Sequence, residues 1–590
     1  MHVRVFVSDL DGTLTEHDQV SPATWHMLHQ ARVAGFKLIL CTGRILDTFA
    51  PDGLFAETFD AIVAEDGAVV YFPRSDTVLL PFGHLPAGFT ERLDALQLPI
   101  ERGMVLVATH VPHDVPILEL LRQMGGGAVV EYNRGAVMVL PQGATKAAGL
   151  DVALRELGLS PRNVIACGDA ENDRSMLQLA ECGVAVANAV PTICETADLV
   201  LPLAGGAGVR GLISELIAGQ LPRRRLRPER QLLLGQQLDG SPFAIDPWLL
   251  ISGVLGIAGD SQSGKSWLSG LLAELLIGLG YQMLIIDPEG DYRALAGLPH
   301  TILVGAADTQ LRRVGDVMTI CEYAQSNLVI DLSDMPHFER IAFADRLLHE
   351  LYELRIQRGR PHWILIDEIQ QLCPVGEQAL SALVLRLMAQ GGVSIVSHRP
   401  SEVDPVLLQA VSLWGMTRLT SDEDLMAFDR LLAACPDWAI IRDKVTQLVR
   451  GQAHLLCRRV SGGEQDTIHA SVTFRAGMRQ VPHIRHLHKY MRTPLPRERW
   501  FYFRTPHGKN CGAAANLSEF RQMLAELPIE SLRFHLENGD FERWLTDVIH
   551  DTELSRQIRK VLRHHPGSSE LRLALQTAVG VRYDELANLL

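Results

Sequence analysis

The 590-residue chain carries 69 acidic against 55 basic residues, a formal net charge of -14, with 47% hydrophobic and 21% charged positions. That balance is ordinary for a folded globular protein; it excludes a disordered chain and argues against a protein that coats nucleic acid nonspecifically. A single core stops growing at about 250 to 300 residues, so several domains are expected.

Nine cysteines are scattered along the chain without a C-x-x-C pair, which reads as reduced thiols rather than a disulfide frame. The opening MHVRVFVSDLDG leads straight into a strand and lacks the apolar stretch of a signal peptide. The stretch nearest to a membrane helix, LLAELLIGLG at 271–280, falls short of the about 18 to 20 residues that one needs. A cytoplasmic protein with no membrane partner is the expectation.

FVSDLDGTLT, from residue 6, predicts a short strand whose carboxylates Asp9 and Asp11 emerge at its C-terminal end, where open α/β sheets place their ligands. Strand alternation would point both the same way. FKLILCTGR at 36–44 predicts a second strand ending in Thr42, Gly43 and Arg44: a hydroxyl, a small backbone N–H position and a cation, as phosphoryl oxygens require. From 82 to about 140 helix and strand alternate as in a small α/β cap, where Glu101, Arg102 and Asn133 face solvent or a substrate. GATKAAGL at 143–150 offers Lys146 at a helix start, and VIACGDAEND at 164–173 predicts a third strand ending in Asp169, Asn172 and Asp173.

Taken in order, DxDGT, TGR, K and GDxxND resemble the haloacid dehalogenase superfamily of phosphohydrolases, specifically its Cof-like branch, over about residues 1–215. AEDGA at 64–68 and GVAVANAVPTICETADLV at 183–200 look like further signatures of that branch. The resemblance implies a Rossmann-like domain with an inserted cap, acting on a small-molecule phosphate ester. It makes Asp9 the nucleophile and Asp11 the general acid and base. It implies Mg²⁺ held by Asp9, the Asp11 carbonyl and Asp169, with Asp173 behind. The phosphoryl group would meet Thr42, Gly43 and Lys146, with Arg44 and Asn172 nearby.

LPRRRLRPER at 221–230 reads as a linker or as a nucleic-acid contact. LLISGVLGIA at 249–258 predicts a strand, GDSQSGKS at 259–266 matches G-x-x-x-x-G-K-[ST], and WLSGLLAELLIGL after it has a helical apolar period. Gly259, Asp260, Ser261, Gln262, Ser263, Gly264, Lys265 and Ser266 therefore read as a phosphate cradle. Lys265 would reach the β and γ phosphates of ATP, and Ser266 would bind Mg²⁺. WILIDEIQQL at 363–372 predicts a buried strand ending in Asp367, which would hold the metal through water, and Glu368, which would polarise the attacking water.

With that loop, MLIIDPEGDY at 283–292, SIVSHRPSEVDPVLL at 394–408 and GQAHLLCRR at 451–459 resemble the HerA-like ATPases, relatives of the FtsK and conjugative DNA pumps, over about residues 231–475. The resemblance implies a RecA-like P-loop domain in a homo-oligomeric ring, with a hexamer favoured, in which an arginine from one subunit completes the next subunit's site. Arg399 and Arg418 are the candidates. His398 is either a γ-phosphate sensor or a structural bond to the loop. HerA proteins generally carry a β-barrel before this core; here the phosphatase takes its place, so nucleic acid is an alternative partner.

RQVPHIRHLHKYMRTPLPRERW at 479–500 reads as a basic linker, before a mainly helical module with Asn516 or Ser518 as a helix cap and Phe534, Phe541 and Trp544 in its core. The expected organisation is α/β multidomain. A phosphatase spans 1–218, an Arg-rich linker 219–230, an ATPase 231–475, a basic linker 476–499 and a helical C-terminal domain 500–590. The expected function is a bifunctional Mg²⁺-dependent phosphatase fused to a ring-forming ATPase. The alternatives are a DNA translocase ring carrying a terminal-phosphate phosphatase, and a nucleotide-assembled scaffold displaying phosphatase domains to a protein partner.

Overall fold

The computed structural model describes the chain apart from residues 1, 17–18, 50–52, 134, 221–224, 226, 306–312, 334, 434, 436, 460–466, 482–490, 492–494, 496–498, 550, 564–566 and 588–590. The apolar runs VFVS and AIVA are buried along their whole length, as in strands covered by helices on both faces. They form β1 (Val5–Ser8) and β3 (Ala61–Ala64), with β2 (Lys37–Cys41) between them in sequence and β4 (Val69–Phe72) and β5 (Thr77–Leu79) following.

The cap comes next, with β6 (Glu101–Arg102), β7 (Val107–His110), β8 (Ala128–Asn133) and β9 (Ala136–Pro141) in a separate antiparallel sheet of order β8–β9–β7–β6. Helix α1 (Lys146–Glu156) returns the chain to the first sheet through β10 (Val164–Gly168), α2 (Arg174–Leu179), β11 (Cys182–Ala185) and β12 (Leu199–Val200). The order is β12–β11–β10–β1–β2–β3–β4–β5, parallel from β12 to β3 and antiparallel beyond. The chain reverses direction across the sheet at β1, which opens a crevice at that strand's C-terminal end.

The second sheet has 11 strands. In chain order these are β13 (Leu232–Gln237), β14 (Pro242–Ile245), β15 (Val254–Ala258), β16 (Met283–Asp287), β17 (Thr301–Val304), β18 (Asn327–Asp331), β19 (Trp363–Ile366), β20 (Val393–Ser397), β21 (Leu413–Met416), β22 (Gln452–Arg459) and β23 (Thr467–Ala476). Helix α3 (Lys265–Gly278) follows β15, and α4 (His337–Arg358) precedes β19. The sheet order is β14–β13–β23–β22–β21–β15–β20–β19–β16–β18–β17, with β21 to β17 parallel.

The strand expected over 249–258 is shorter than its apolar run. Trp248–Ile251 is a helical turn and β15 begins only at Val254. An apolar run does not itself separate buried helix from strand. Here Pro247 opens the turn and the Asp246 carboxylate accepts the Trp248 N–H at 2.8 Å.

The two sheets are joined by buried polar contacts. The Asn163 side-chain amide donates to the carbonyls of His2 and Gly359, at 2.8 and 3.1 Å. Tyr281 donates its hydroxyl to the buried Glu181 carboxylate at 2.9 Å, and Arg360 donates to the Gly158 carbonyl. Of the described arginines in the 221–230 stretch, Arg225 is exposed as in a solvated linker, whereas Arg227 and Arg230 are not. Arg227 pairs with the buried Asp198 at 2.6 Å, and Arg230 caps α2 by donating to the carbonyls of Gln178 and Ala180. Arg479 is likewise buried, in an ion pair with Glu274 of α3 at 2.7 Å.

The C-terminal unit pairs Phe501–Arg504 with Asn510–Ala514 and then turns helical. Asn516 caps the helix Leu517–Glu526, accepting the Glu519 N–H at 2.8 Å, while Ser518 lies inside that helix. Phe541 and Trp544 are in the core, whereas Phe534 is half-buried. All nine cysteines are free. No helix among the described residues is long and apolar enough to cross a membrane.

Candidate functional site

Asp9 follows β1, Thr42 follows β2, Asp169 follows β10 and Lys146 opens α1, so parallel topology brings them together at one edge of the sheet. Lys146 is 2% exposed and its Nζ lies 2.6 Å from Asp9 Oδ1 and 2.6 Å from Asp173 Oδ1. Burial works against the lysine's charge, but Asp173 and Asp9 outweigh it and raise its pKa well above the usual range. Burial and the neighbouring Asp173 push the Asp9 carboxyl well up, against the pull of Lys146.

Asp173 is fully committed. Its Oδ2 accepts the N–H groups of Asp169 and Ala170 at 2.8 and 3.0 Å, while its Oδ1 holds Lys146. It therefore stands behind the others and orients them. Asp169 Oδ1 accepts from Thr13 at 2.9 Å, and its Oδ2 faces Gly12, where a Cβ would come within 2.5 Å.

Oxygens of Asp9, Asp169 and Asp173 lie within 4.8 Å of one another. Three buried carboxylates beside one ammonium leave an excess of negative charge, and an all-oxygen donor set suits a hard divalent cation. These residues fit Mg²⁺.

Asp9 and Asp11 line one cavity, although not through strand alternation. β1 ends at Ser8, and Asp11 sits in a turn completed by Gly12 at φ +80°. Arg44 grips the Asp11 carboxylate with Nε at 2.9 Å and a second bond from Nη2. Thr42 is buried beneath, its Oγ1 accepting the Arg44 N–H at 3.1 Å.

The cavity, about 430 Å³, is floored by Asp9, Asp11, Gly43 and Arg44, flanked by Ala170 and Asn172, and roofed by the cap's Ile100, Glu101, Ala108, Thr109, His110 and Met138. Glu101 thus faces the site, whereas Arg102 pairs with Asp94 on the surface. The Asn133 side chain lies outside the described residues. His110 had no motif to reveal it. The AEDGA segment proves structural as well as diagnostic: Asp66 accepts from Asn172 Nδ2 at 2.9 Å, and Glu65 reaches into the cap.

The second constellation gathers at the C-terminal ends of β15, β16 and β19. Gly264 at φ +111° lets the loop turn into α3, and Gln262 is also left-handed at φ +64°. Ser261 is exposed on the loop. Lys265 Nζ donates to the Asp260 carbonyl at 2.9 Å, and Ser263 Oγ to the same carbonyl at 2.7 Å. Gly259 is required, since a Cβ there would lie 2.0 Å from Thr417 Oγ1.

Ser266 donates to Asp291 Oδ2 at 3.1 Å, so the D-P-E-G-D-Y segment brings a carboxylate to the cradle that sequence reading had not assigned. Asp367 Oδ1 accepts from Tyr292 at 3.4 Å, and its buried Oδ2 has no partner among the described residues. Burial and the adjacent Glu368 raise the Asp367 pKa well above the carboxylate range. An orphaned buried carboxylate oxygen on Asp367, with Asp291 among the neighbouring charges and Ser266 bonded to Asp291, fits a divalent cation.

His398 is half-buried, and among the described residues its ring contacts Glu368 and Gln370 rather than the loop. Its Nδ1 meets the Glu368 carboxylate, which Gln370 also contacts. Against the effect of burial, His398 lowers the Glu368 pKa. Arg418 lies beside its own cradle, Nε 3.9 Å from Asp260 Oδ2, while Arg399 is exposed and pairs only with Glu402 among the described residues, at 2.6 Å.

Comparison with known families agrees with both constellations. Residues 6–79 and 108–213 match the haloacid dehalogenase-like hydrolases, and residues 232–354 match the central domain of helicase HerA. Phosphoglycolate phosphatase 2 of Saccharolobus solfataricus is 29% identical over 221 residues, 36% of this chain and 91% of the relative. A phosphoglycolate phosphatase of Haloarcula marismortui is 30% identical over 34% of this chain and 92% of its own length. The HMP-PP phosphatase of Cronobacter sakazakii is 30% identical over 32% and 86%. The chain belongs, through its N-terminal third, to the haloacid dehalogenase-like hydrolases, and it joins that phosphatase to a HerA-type ATPase domain.

Proposed function

We propose that the protein hydrolyses phosphomonoesters at the Asp9 site and ATP at the Lys265 site, as two separate chemistries on one scaffold. The convergence of Asp9, Lys146 and Asp169 under a capped cavity of about 430 Å³ is the observation that carries the first half. Asp9 attacks phosphorus and forms an aspartyl phosphate, while Asp11, steered by Arg44, gives its proton to the leaving oxygen. Asp11 then takes a proton from the water that cleaves the intermediate.

Lys146, the Gly43 N–H and the Thr42 hydroxyl meet the developing charge on the transferring group. Asp9, the Asp11 carbonyl and Asp169 would hold Mg²⁺, with Asp173 orienting them. Bound there, the ion would neutralise the carboxylates that otherwise repel a phosphate.

In the second site the backbone of 259–264 and the N-terminus of α3 hold the nucleotide phosphates, with Lys265 on the β and γ groups. Ser266 and Asp367 would hold Mg²⁺, and Glu368 orients water. HerA kinship supports a hexameric ring, and the exposed Arg399 is the better candidate to reach a neighbouring subunit.

Phosphate esters of small molecules are the favoured substrates, phosphoglycolate and HMP-PP first because the relatives' names carry them. A nucleic-acid role is weakened because Arg227, Arg230 and Arg479 are engaged within the fold. The deciding experiment offers the full chain phosphoglycolate, HMP-PP, sugar phosphates and 3′- or 5′-phosphorylated oligonucleotides and measures phosphate release. Turnover of the small esters that Asp9→Asn abolishes supports the proposal. Exclusive turnover of oligonucleotides would transfer it to nucleic-acid processing.

A further inference from the structure

Glu65 and Asp66 follow β3 and both adopt left-handed backbone, φ +50° and +52°, which non-glycine residues hold only when the surroundings insist on it. Both are buried, at 0 and 2% exposure, and their carboxylates diverge. Asp66 accepts from Asn172, one residue from Asp173, at 2.9 Å. Glu65 crosses to the cap, where its two oxygens accept the N–H groups of Met104, Val105 and Leu106 at 2.9, 2.9 and 2.8 Å. The next residue, Gly67 at φ +101°, packs so tightly on the start of α1 that a Cβ would lie 2.0 Å from the Thr145 carbonyl.

The three amides that Glu65 gathers sit in the turn leading directly into β7, which contributes Ala108, Thr109 and His110 to the cavity roof. Gly103 closes that turn by donating to Leu106 O at 2.9 Å, and a Cβ at Gly103 would lie 2.4 Å from Glu65 Oε1. A carboxylate that satisfies three amides in one concave turn is a strong, directional bond. A glutamine side chain keeps one acceptor oxygen and turns an N–H₂ group toward N–H donors.

We propose that Glu65 is a positioning residue that docks the cap over the phosphatase site and thereby sets affinity for the leaving group, without touching the phosphoryl group. The proposal rests on the phosphatase reading. Glu65 fixes the height of β7 above Asp9, while Asp66 and Gly67 tie the same short segment to the Asp169–Asp173 loop and to the Lys146 helix. Substrate contacts in the roof depend on this tie; phosphate contacts in the floor do not.

The test uses the full chain with Glu65→Gln and, independently, Gly103→Ala, which displaces the carboxylate without changing charge. With p-nitrophenyl phosphate as probe, both variants should raise KM about tenfold or more, the loss of one or two charge-assisted bonds. The inhibition constant of inorganic phosphate, which reads the floor alone, should stay within about twofold because no floor contact changes. Amides 104–106 should be protected from hydrogen exchange in the parent and lose protection in both variants, a readout that needs no turnover. Unchanged KM in well-folded variants, a parallel rise in the phosphate constant, or rapid exchange of 104–106 in the parent would each overturn the proposal. If Asp9→Asn retains activity, it is the phosphatase reading that fails instead.

Discussion

Arg360 of the ATPase unit closes its guanidinium on the Gly158 carbonyl of the phosphatase, Nη2 at 2.8 Å and Nε at 3.0 Å. Gly158 lies just past the C-terminus of α1, the helix that begins with Lys146; Arg360 lies just ahead of β19, the strand that Asp367 follows. The domain seam therefore sits at the far end of one element from each site. The same side chain also reaches the carbonyls of Cys321 and Glu322, so it is an anchor with several attachments.

Replacing Arg360 by Leu should remove the shorter bonds at the Gly158 carbonyl and one donor each from the Cys321 and Glu322 carbonyls, leaving Gln282 at Cys321 and Arg358 at Gly158, 3.1 and 3.5 Å away. The loss is about 1 to 3 kcal/mol in total before relaxation. The expected outcome is a lower melting temperature for the full chain, with each activity still detectable below it. Calorimetry alongside both assays checks this; an unchanged melting temperature would mean that the seam contributes no stability.

The phosphatase boundary has a similar consequence. Asp198 is buried and paired with Arg227 and Arg230, at 2.6 and 3.5 Å. A fragment ending at residue 218 loses both cations. Stranding a buried charge costs about 3 to 5 kcal/mol, so a fragment of residues 1–231 should melt well above one of residues 1–218. Equal melting curves would count against a structural role for the Arg-rich stretch.

Separate sites predict separable defects. Asp9→Asn keeps the side-chain volume, removes the proposed nucleophile and should abolish phosphomonoester turnover with ATPase retained. Lys265→Ala should remove ATP turnover and spare the phosphatase. Phosphate release from each substrate, measured on both variants, is sufficient. Loss of both activities in either variant would contradict independence.

The motifs that were legible are those in which chemistry and backbone geometry lie within ten residues of each other: DxDGT, TGR, GDxxND and the cradle at 259–266. Parallel strand order then brought Asp9, Thr42, Lys146 and Asp169 to one edge, as their strand-end positions implied. Relationships set by tertiary distance were not legible. Asp66 with Asn172, Glu65 with the cap turn and Ser266 with Asp291 each join segments that no local pattern pairs. Arg227 and Arg230 resembled a solvated linker because a charge run carries no record of the carboxylate it will meet. Trp248–Ile251 resembled a strand because an apolar run suits either conformation; in the helical turn Leu250 and Ile251 are buried while Leu249 is exposed.

A buried histidine supplies a pH dependence away from both sites. His454, on β22, has its ring nitrogens hydrogen-bonded to the hydroxyls of Thr473 and Ser471, at 2.8 and 2.9 Å. Burial, reinforced by the nearby Lys444, lowers its pKa to about 4 from the ordinary 6.5. Between those values the unfolded chain binds the proton more readily than the folded one, so stability rises with pH through this window. It is fully present above 6.5 and is lost as pH falls toward 4. The size is on the order of 2 kcal/mol, allowing for partial solvent screening. The ATPase unit should therefore melt at progressively lower temperature as the buffer is taken down through that range, and His454→Gln should flatten this part of the profile. A variant whose melting temperature falls with acid as steeply as the parent's would assign the acid sensitivity to the carboxylates instead.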